Sequence, residues 1–259
     1  MKYQAPLRFA KWMTENTHID KNLGHTYRYH SRSDAHSKAL CKFIAEDLID
    51  ASSVMAQHAQ EGKIVYAINC RYKWPSSAKA KTIDLAIGIA DQSLLELGPD
   101  EVIAHGVPKR VLLSCEAKTC MTEHGKSKPR IYDELSSSHT IVHAGDKEAL
   151  AAGIAVVNIA DQFASPLRQM KGQPLMFKQH TQPKAAEQMV EHLRGLPIRQ
   201  KIEEEGFDGY STIVISCDNQ GPATLWTELP APQDGDMDHY DSFVEKLARE
   251  YDERFSDLS

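Results

Sequence analysis

Two segments in which apolar and polar residues alternate decide the fold of this 259-residue chain. The first reads KTIDLAIGIA over residues 81–90, and the second reads KRVLLSCEAK over residues 109–118. Successive side chains point to opposite faces of a strand, so both segments are predicted to be β-strands with one apolar face. The apolar faces are predicted to consist of Ile83, Leu85, Ile87 and Ile89 in the first strand, and of Val111, Leu113, Cys115 and Ala117 in the second. Asp84 lies on the opposite face of the first strand, and Glu116 and Lys118 lie on the opposite face of the second.

Two carboxylates and an ammonium group meet on the polar face if these strands pair. Close carboxylates repel each other unless a cation lies between them. Oxygen ligands without a Cys or His cluster favour Mg²⁺, or Mn²⁺ as its substitute, over zinc. The pattern therefore predicts that Asp84 and Glu116 bind Mg²⁺ beside Lys118. An ordinary ion pair on the surface of a sheet would explain the same three residues without a metal.

An Asp on one strand followed by Glu-x-Lys on its neighbour resembles the PD-(D/E)XK nuclease superfamily, which includes many restriction endonucleases. Ile83 stands where many members have proline, and the 32 residues from Asp84 to Glu116 require an insertion near residues 91–108. The resemblance covers the order of elements over roughly residues 34–160. It implies an α/β fold with a mixed central β-sheet flanked by helices.

The most specific function that this resemblance implies is a type II restriction endonuclease, which hydrolyses phosphodiester bonds in double-stranded DNA with Mg²⁺. Asp84 and Glu116 would hold the metal together with the backbone carbonyl of Ala117, and Lys118 would position or help to deprotonate the attacking water. Recognition of a palindrome would require a homodimer. Two alternatives stay open: another nuclease with the same core, acting in repair or defence, or a DNA-binding or structural protein with a degenerate site.

A further carboxylate lies in the first long helix, which is predicted to begin at Ser33 or Asp34 and to run to about residue 57. Asp47 falls within the apolar stripe of this helix. A carboxylate buried without a partner is costly. Asp47 therefore either adds a helix acid to the metal site, as the superfamily often does, or forms a salt bridge at the edge of the stripe.

The distribution of charge is compatible with a nucleic-acid partner although the net charge is −6. Residues 201–259 hold 4 basic and 15 acidic residues, so the rest of the chain carries a net charge of +5. Local potential governs encounter with DNA more than the overall charge does. The candidate DNA contacts are Lys79 and Lys81 at the end of residues 63–81, a basic stretch without acids that leads into the first strand, Lys126 and Lys128 on a loop predicted over residues 119–128, and Arg130 and His139 on a helix predicted to begin at Pro129. Each of them could instead belong to a solvated surface.

Composition indicates a globular protein, with 41% hydrophobic and 25% charged residues. We expect one nuclease domain over residues 1–259 that ends in an acidic amphipathic helix near residues 239–255. No apolar run has the length of a membrane span, and the first residues lack the apolar core of a signal peptide. The five cysteines form no CxxC pair. We therefore expect a cytoplasmic protein with free thiols and no membrane partner.

Overall fold

The computed structural model describes residues 1–74, 80–91 and 101–258, and within these ranges its largest feature is a seven-stranded sheet. The α-helices are α1 (Ala5–Glu15), α2 (Ala35–Ala51), α3 (Ser53–Gln60), α4 (His124–Gly145), α5 (Lys184–Leu193) and α6 (Tyr240–Phe255). The strands are β1 (His18–Asp20), β2 (His25–Tyr27), β3 (Ile64–Tyr72), β4 (Lys81–Ile89), β5 (Ala104–His105), β6 (Arg110–Cys120), β7 (Leu150–Asn158), β8 (Gln162–Phe163), β9 (Lys178–Gln179), β10 (Gly209–Ser216) and β11 (Thr224–Leu225).

The central sheet is mixed, and its strands follow the order β11-β10-β7-β6-β4-β3-β5. Strands β3, β4 and β6 are antiparallel neighbours, whereas β7 runs parallel to β6 and β10 runs parallel to β7. Helices cover both faces of the sheet, since α2 contacts β3, β4 and β6 while α4 contacts β6 and β7. The predicted fold class, a mixed central sheet flanked by helices, is confirmed.

Two cores hold the helices against the sheet. Apolar residues of α2 and α6, such as Leu40, Ile44 and Leu247, fill the core on one face, and Ile131 and Leu135 of α4 fill the core on the other. Burying one side chain of this size contributes roughly 1.5–3 kcal/mol. All residues of β7 are buried, as is typical of a parallel strand that is covered on both faces.

The two central strands depart from the predicted alternation. Ile83 and Val111 pack in the core under α4, whereas Leu85 and Leu113 pack in the core under α2. The expectation of one continuous apolar face in each strand is therefore wrong. In β6 the reversal follows from Leu112, an extra residue that shifts the register against β4. Such a β-bulge moves the following side chains to the other face.

The first long helix is shorter than predicted. It ends at Ala51, and a second helix, α3, follows after Ser52. The Ser52 hydroxyl accepts a hydrogen bond of 2.8 Å from the backbone N–H of Met55, which caps α3. The continuous helix to about residue 57 is therefore wrong, because this side chain starts a new helix.

The loop predicted over residues 119–128 is also wrong. Strand β6 extends through Cys120, and α4 already begins at His124. Lys126 and Lys128 consequently lie in the first turns of a helix. Half of the predicted insertion, residues 92–100, lies outside the described residues, and β5 near its end pairs in parallel with β3.

None of the helices in the described residues is long and apolar enough to cross a lipid bilayer. The five cysteines are all free and buried.

Candidate active site

Asp84 lies where β4 and β6 separate. The ladder between these strands ends at the pair Leu85 and Cys115. Beyond this pair, the Asp84 carboxylate accepts a hydrogen bond of 2.9 Å from the backbone N–H of Ala117. On the other side of Asp84, Asn69 of β3 adopts a left-handed conformation with φ of 52°, which Asn tolerates better than most residues. The backbone irregularity in β3 thus lies next to the residue whose alternation it disturbs.

Lys118 joins the two carboxylates that the sequence singled out. Its Nζ lies 2.5 Å from Oε1 of Glu116 and 3.9 Å from Oδ2 of Asp84. A third carboxylate, that of Glu134 on α4, approaches Nζ to 3.8 Å. The structure therefore brings Asp84, Glu116 and Lys118 together, as their strand positions predict.

The second oxygen of Glu116 has its own partners. Nζ of Lys81 lies 3.2 Å from Oε2 of Glu116 and donates a hydrogen bond of 2.6 Å to Oγ of Ser138. The Ser138 hydroxyl donates to the same carboxylate oxygen at 3.3 Å. Lys81 was expected on a DNA-facing surface, but it lies against Glu116 with only 17% of its side chain exposed. We call Asp84, Glu116, Lys118 and Lys81 the carboxylate cluster.

Burial and the nearby charges shift the pKa values of Asp84 and Lys118. Burial raises the pKa of Asp84, and the nearby charge of Glu116 raises it further, while Lys118 opposes both effects. Burial lowers the pKa of Lys118, but the attraction of Glu116 and Asp84 outweighs it, so this pKa is raised overall. Lys118 is therefore a cation at neutral pH.

A cleft opens beside the cluster and gives access to part of it. The cleft has a volume of about 320 Å³. One wall consists of Asp84, Ala117, Lys118 and Thr119, and the other consists of Tyr29, Ser31, Arg32, Ser33, Asp34, His36 and Ser37. Glu116 lies deeper and is 8% exposed. A ligand in the cleft would meet Asp84 and Lys118 first.

The oxygen donors near the cleft suit Mg²⁺ better than a metal that needs four protein ligands. No group of three or more His, Cys, Asp or Glu residues that could hold a metal is present among the described residues. The oxygen donors are Asp84, Glu116 and the carbonyl of Ala117, which faces β4 because the N–H and C=O of a strand residue point to the same side. Mg²⁺ is usually held by one or two carboxylates and completed by water and substrate phosphate. The residues present therefore fit Mg²⁺, but not the four ligands of structural zinc.

Asp47 is not part of the cluster. Its carboxylate accepts hydrogen bonds from the backbone N–H of Ala5 at 2.7 Å and of Gln4 at 3.3 Å, and from the hydroxyl of Tyr240 at 3.0 Å. These contacts join α2 to the starts of α1 and α6. The possible metal ligand is therefore a structural carboxylate, and its partners among the described residues are hydrogen-bond donors rather than the cation of a salt bridge.

The predicted basic contacts on α4 lie at different distances from the cluster. Arg130 is 61% exposed and pairs at 2.9 Å with Glu134, which itself approaches Lys118. Lys126 is 84% exposed and lies 3.7 Å from Glu123. Lys128 instead lines a separate depression of about 710 Å³ beside Glu187 and Glu191 on α5. Lys79 lies outside the described residues.

His139 does not reach the surface at which a DNA contact was expected. Its ring is buried and packs edge to face against Phe207, with 5.0 Å between the ring centroids. Burial lowers the pKa of His139 to about 4, so the ring is neutral at physiological pH. A neutral, buried ring is not a phosphate ligand, and this prediction is corrected.

Three residues near the cluster were missed from the sequence: Glu134, Ser138 and Arg32. Glu134 and Ser138 are four residues apart, so they share one face of α4. Ser138 also occupies a buried position next in line after Ile131 and Leu135, and a buried polar residue at such a position requires a partner. A polar residue on the apolar face of α4 could therefore have been recognised from the sequence as one that needs a partner. Arg32 carries no comparable signal, because only folding brings its loop to the cleft.

Comparison of the chain with protein-family models, with curated proteins and with solved structures finds no match.

Proposed function

We propose that this protein is a Mg²⁺-dependent nuclease that hydrolyses phosphodiester bonds in DNA. The observation that carries the proposal is the convergence of Asp84, Glu116 and Lys118 at the point where two strands separate beside an open cleft. Two carboxylates and a carbonyl suit a hard divalent cation, and an adjacent ammonium group suits a phosphate. The same residues carry the resemblance to the PD-(D/E)XK nucleases, which supports DNA as the substrate.

Each group of the cluster has a role in this proposal. Asp84, Glu116 and the Ala117 carbonyl would hold Mg²⁺. When bound, Mg²⁺ supplies positive charge that stabilises the charge developing on the phosphate, and it lowers the pKa of water. Lys118 faces the cleft and would donate hydrogen bonds to the attacking water or to a phosphate oxygen. Because its pKa is raised, we assign Lys118 to orientation and charge stabilisation rather than to proton removal.

The opposite wall of the cleft supports an anionic substrate. Arg32 is exposed there and faces the wall that contains Asp84 and Lys118. Asp34, on the same wall, is already paired with Lys38 at 2.7 Å. A phosphate that enters the cleft would therefore meet Arg32 and Lys118 on its two sides.

The finer proposal is a type II restriction endonuclease that acts as a homodimer on a palindromic site in double-stranded DNA. It rests on the resemblance alone and on the symmetry that a palindrome requires. The dimer can be tested by sedimentation of the protein with and without duplex DNA in Ca²⁺. A monomer under both conditions would remove the palindromic proposal.

The decisive experiment incubates the protein and its Asp84→Asn variant with phage and plasmid DNA in Mg²⁺, with EDTA as a control. We expect fragments from the parent and none from the variant. Discrete fragments would support sequence-specific restriction, whereas a smear would favour a repair or defence nuclease. Phage and plasmid DNA that stay intact after prolonged incubation would overturn the nuclease proposal and favour a DNA-binding or structural protein.

A further inference from the structure

The carboxylate cluster contains as many positive as negative charges. Glu116 has a separate lysine for each oxygen, since Lys118 contacts Oε1 at 2.5 Å and Lys81 contacts Oε2 at 3.2 Å. Asp84 lies 3.9 Å from the same Lys118. Two carboxylates thus face two ammonium groups, and the formal charge of the cluster is zero.

The neighbouring ion pairs do not add negative charge. Glu134 approaches Lys118, but Arg130 compensates it at 2.9 Å. Across the cleft, Lys38 compensates Asp34 at 2.7 Å. A divalent cation that entered the site would therefore meet groups with no net charge, although two of its ligands are carboxylates.

The two lysines differ in their freedom to move. Lys118 lines the cleft and can turn toward an incoming phosphate or water. Lys81 is held on the covered side of Glu116 by its bond of 2.6 Å to Ser138, which is buried. The charge of Lys81 therefore stays next to Glu116 whether or not the cleft is occupied.

We propose that Lys81 is a built-in counter-charge that keeps metal affinity low until a phosphate-bearing substrate arrives. This inference rests on the proposed function, because it concerns the same metal site. With Lys81 in place, the negative charge that favours a divalent cation comes from the phosphate of the nucleic acid. Metal and DNA consequently bind together, and each raises the affinity for the other by the same factor. Lys81 is thus a positioning and charge-setting residue rather than a DNA contact.

The test measures Mn²⁺ binding to the DNA-free protein by electron paramagnetic resonance. Removal of one positive charge within a few ångströms of the site should tighten binding by about tenfold in Lys81→Met and in Lys81→Gln. Gln can still hydrogen-bond Ser138, so it separates loss of charge from loss of the contact. Lys81→Arg keeps the charge and should bind Mn²⁺ like the parent. Lys73→Met is the matched control, because Lys73 is exposed and follows Tyr72, the β3 partner of Lys81.

The outcomes separate this inference from the proposed function. Unchanged or weaker Mn²⁺ binding in both Lys81→Met and Lys81→Gln would overturn it, as would equal tightening in Lys73→Met. A structural role for Lys81 predicts weaker binding and a lower melting temperature, which is the opposite sign for affinity. Parent protein that neither cleaves DNA nor binds Mn²⁺ in the presence of a random-sequence duplex would overturn the proposed function itself. Parent protein that cleaves DNA while neither Lys81→Met nor Lys81→Gln binds Mn²⁺ more tightly would overturn only the role of Lys81.

Discussion

The backbone N–H of Ala117 donates a hydrogen bond of 2.9 Å to the Asp84 carboxylate, at the point where β4 and β6 stop pairing. The Asp84 side chain of β4 thus replaces the backbone carbonyl of β4 that the N–H of Ala117 would bond in a continuous ladder. Ala117 lies between Glu116 and Lys118, so the same bond fixes the position of Asp84 relative to both. The separation of the strands leaves the N–H satisfied, and the cleft in which the proposed cation and phosphate would bind opens beside it.

Asp84, Glu116 and Lys118 form the predicted catalytic triad, and loss of any one of them should abolish cleavage. We expect Asp84→Asn, Glu116→Gln and Lys118→Ala each to reduce the cleavage rate by about 10³-fold or more, because a metal ligand or the cation beside the phosphate is lost. The fold should survive, since Asn at position 84 can still accept the Ala117 N–H. Initial rates in Mg²⁺ and circular dichroism of the purified variants provide the measurements.

Glu46→Gln is the matched control for these variants. Glu46 lies on α2, where its side chain contacts Arg8 and Lys42. We expect its cleavage rate to equal that of the parent. Full activity in a triad variant would remove that residue from the site, and an inactive control would point to a general effect of lost carboxylates.

The choice of metal should follow from the oxygen donors. Mg²⁺ and Mn²⁺ should support cleavage, whereas Ca²⁺ should support DNA binding without efficient cleavage, because its larger size and variable coordination suit the site less well. Parallel assays of cleavage and of DNA-binding anisotropy with each metal test this expectation. Cleavage that persists in excess EDTA would exclude a metal mechanism.

Asp47→Asn should lower stability without removing activity. The amide of Asn cannot accept all three hydrogen bonds that the carboxylate receives from Ala5, Gln4 and the Tyr240 hydroxyl. Loss of buried hydrogen bonds of this kind costs about 1–3 kcal/mol. Denaturant unfolding should show this loss, while the folded variant should cleave DNA at the parental rate. Normal stability with lost cleavage would instead return Asp47 to the site.

The convergence of the triad could be predicted because it depends on local alternation along two strands, whereas the fold class was what the resemblance carried by those residues implied. The sequence did not predict where that alternation reverses. The reversals depend on Leu112, which has no partner in β4, and on the left-handed conformation of Asn69 opposite Asp84. Both arise from pairing between distant segments. The break at Ser52 is different, because a Ser at that position is a capping signal that the apolar stripe obscured.

The surroundings of the site were harder to predict than the triad. Lys81 was expected to face DNA, because it ends a basic stretch without acids, residues 63–81. In three dimensions it lies between Glu116 and Ser138, and the position of α4 against β6 creates that contact. Single-sequence patterns show which residues are charged, but not which opposite charge a distant helix brings to them.

The stability of the protein should fall in acid partly through Asp208. Hydrogen bonds from His143, Arg199 and Ala151 and the charge of Arg254 lower the pKa of Asp208, although burial acts in the opposite direction. Because the folded-state pKa lies below the unfolded value of about 3.9, the stabilising contribution is complete above that pH and is lost as the pH falls further.

Asp208→Asn tests this assignment. The change leaves the buried guanidinium of Arg199 without its anion and should cost about 3–5 kcal/mol at pH 7. The difference in the free energy of unfolding between parent and variant should narrow as the pH falls below about 4. Denaturant titrations at several pH values measure it. A difference that stays constant down to the acid transition would contradict the role of the Asp208 charge.

DNA contact should involve the exposed basic residues at the start of α4 rather than Lys81. The side chains of Lys126 and Arg130 are 84% and 61% exposed. Arg130 pairs with Glu134, which lies 3.8 Å from Lys118 of the cluster. Each phosphate contact that is lost should reduce the slope of log affinity against log salt by about 1, so Lys126→Ala with Arg130→Ala should flatten it by about 2. Salt titrations of DNA binding in Ca²⁺ measure the slope.

Lys11→Ala with Lys42→Ala is the matched control, because these lysines lie on α1 and α2 and pair with Glu15 and Glu46. Equal slopes for the parent and the α4 double variant would show that this surface does not face DNA.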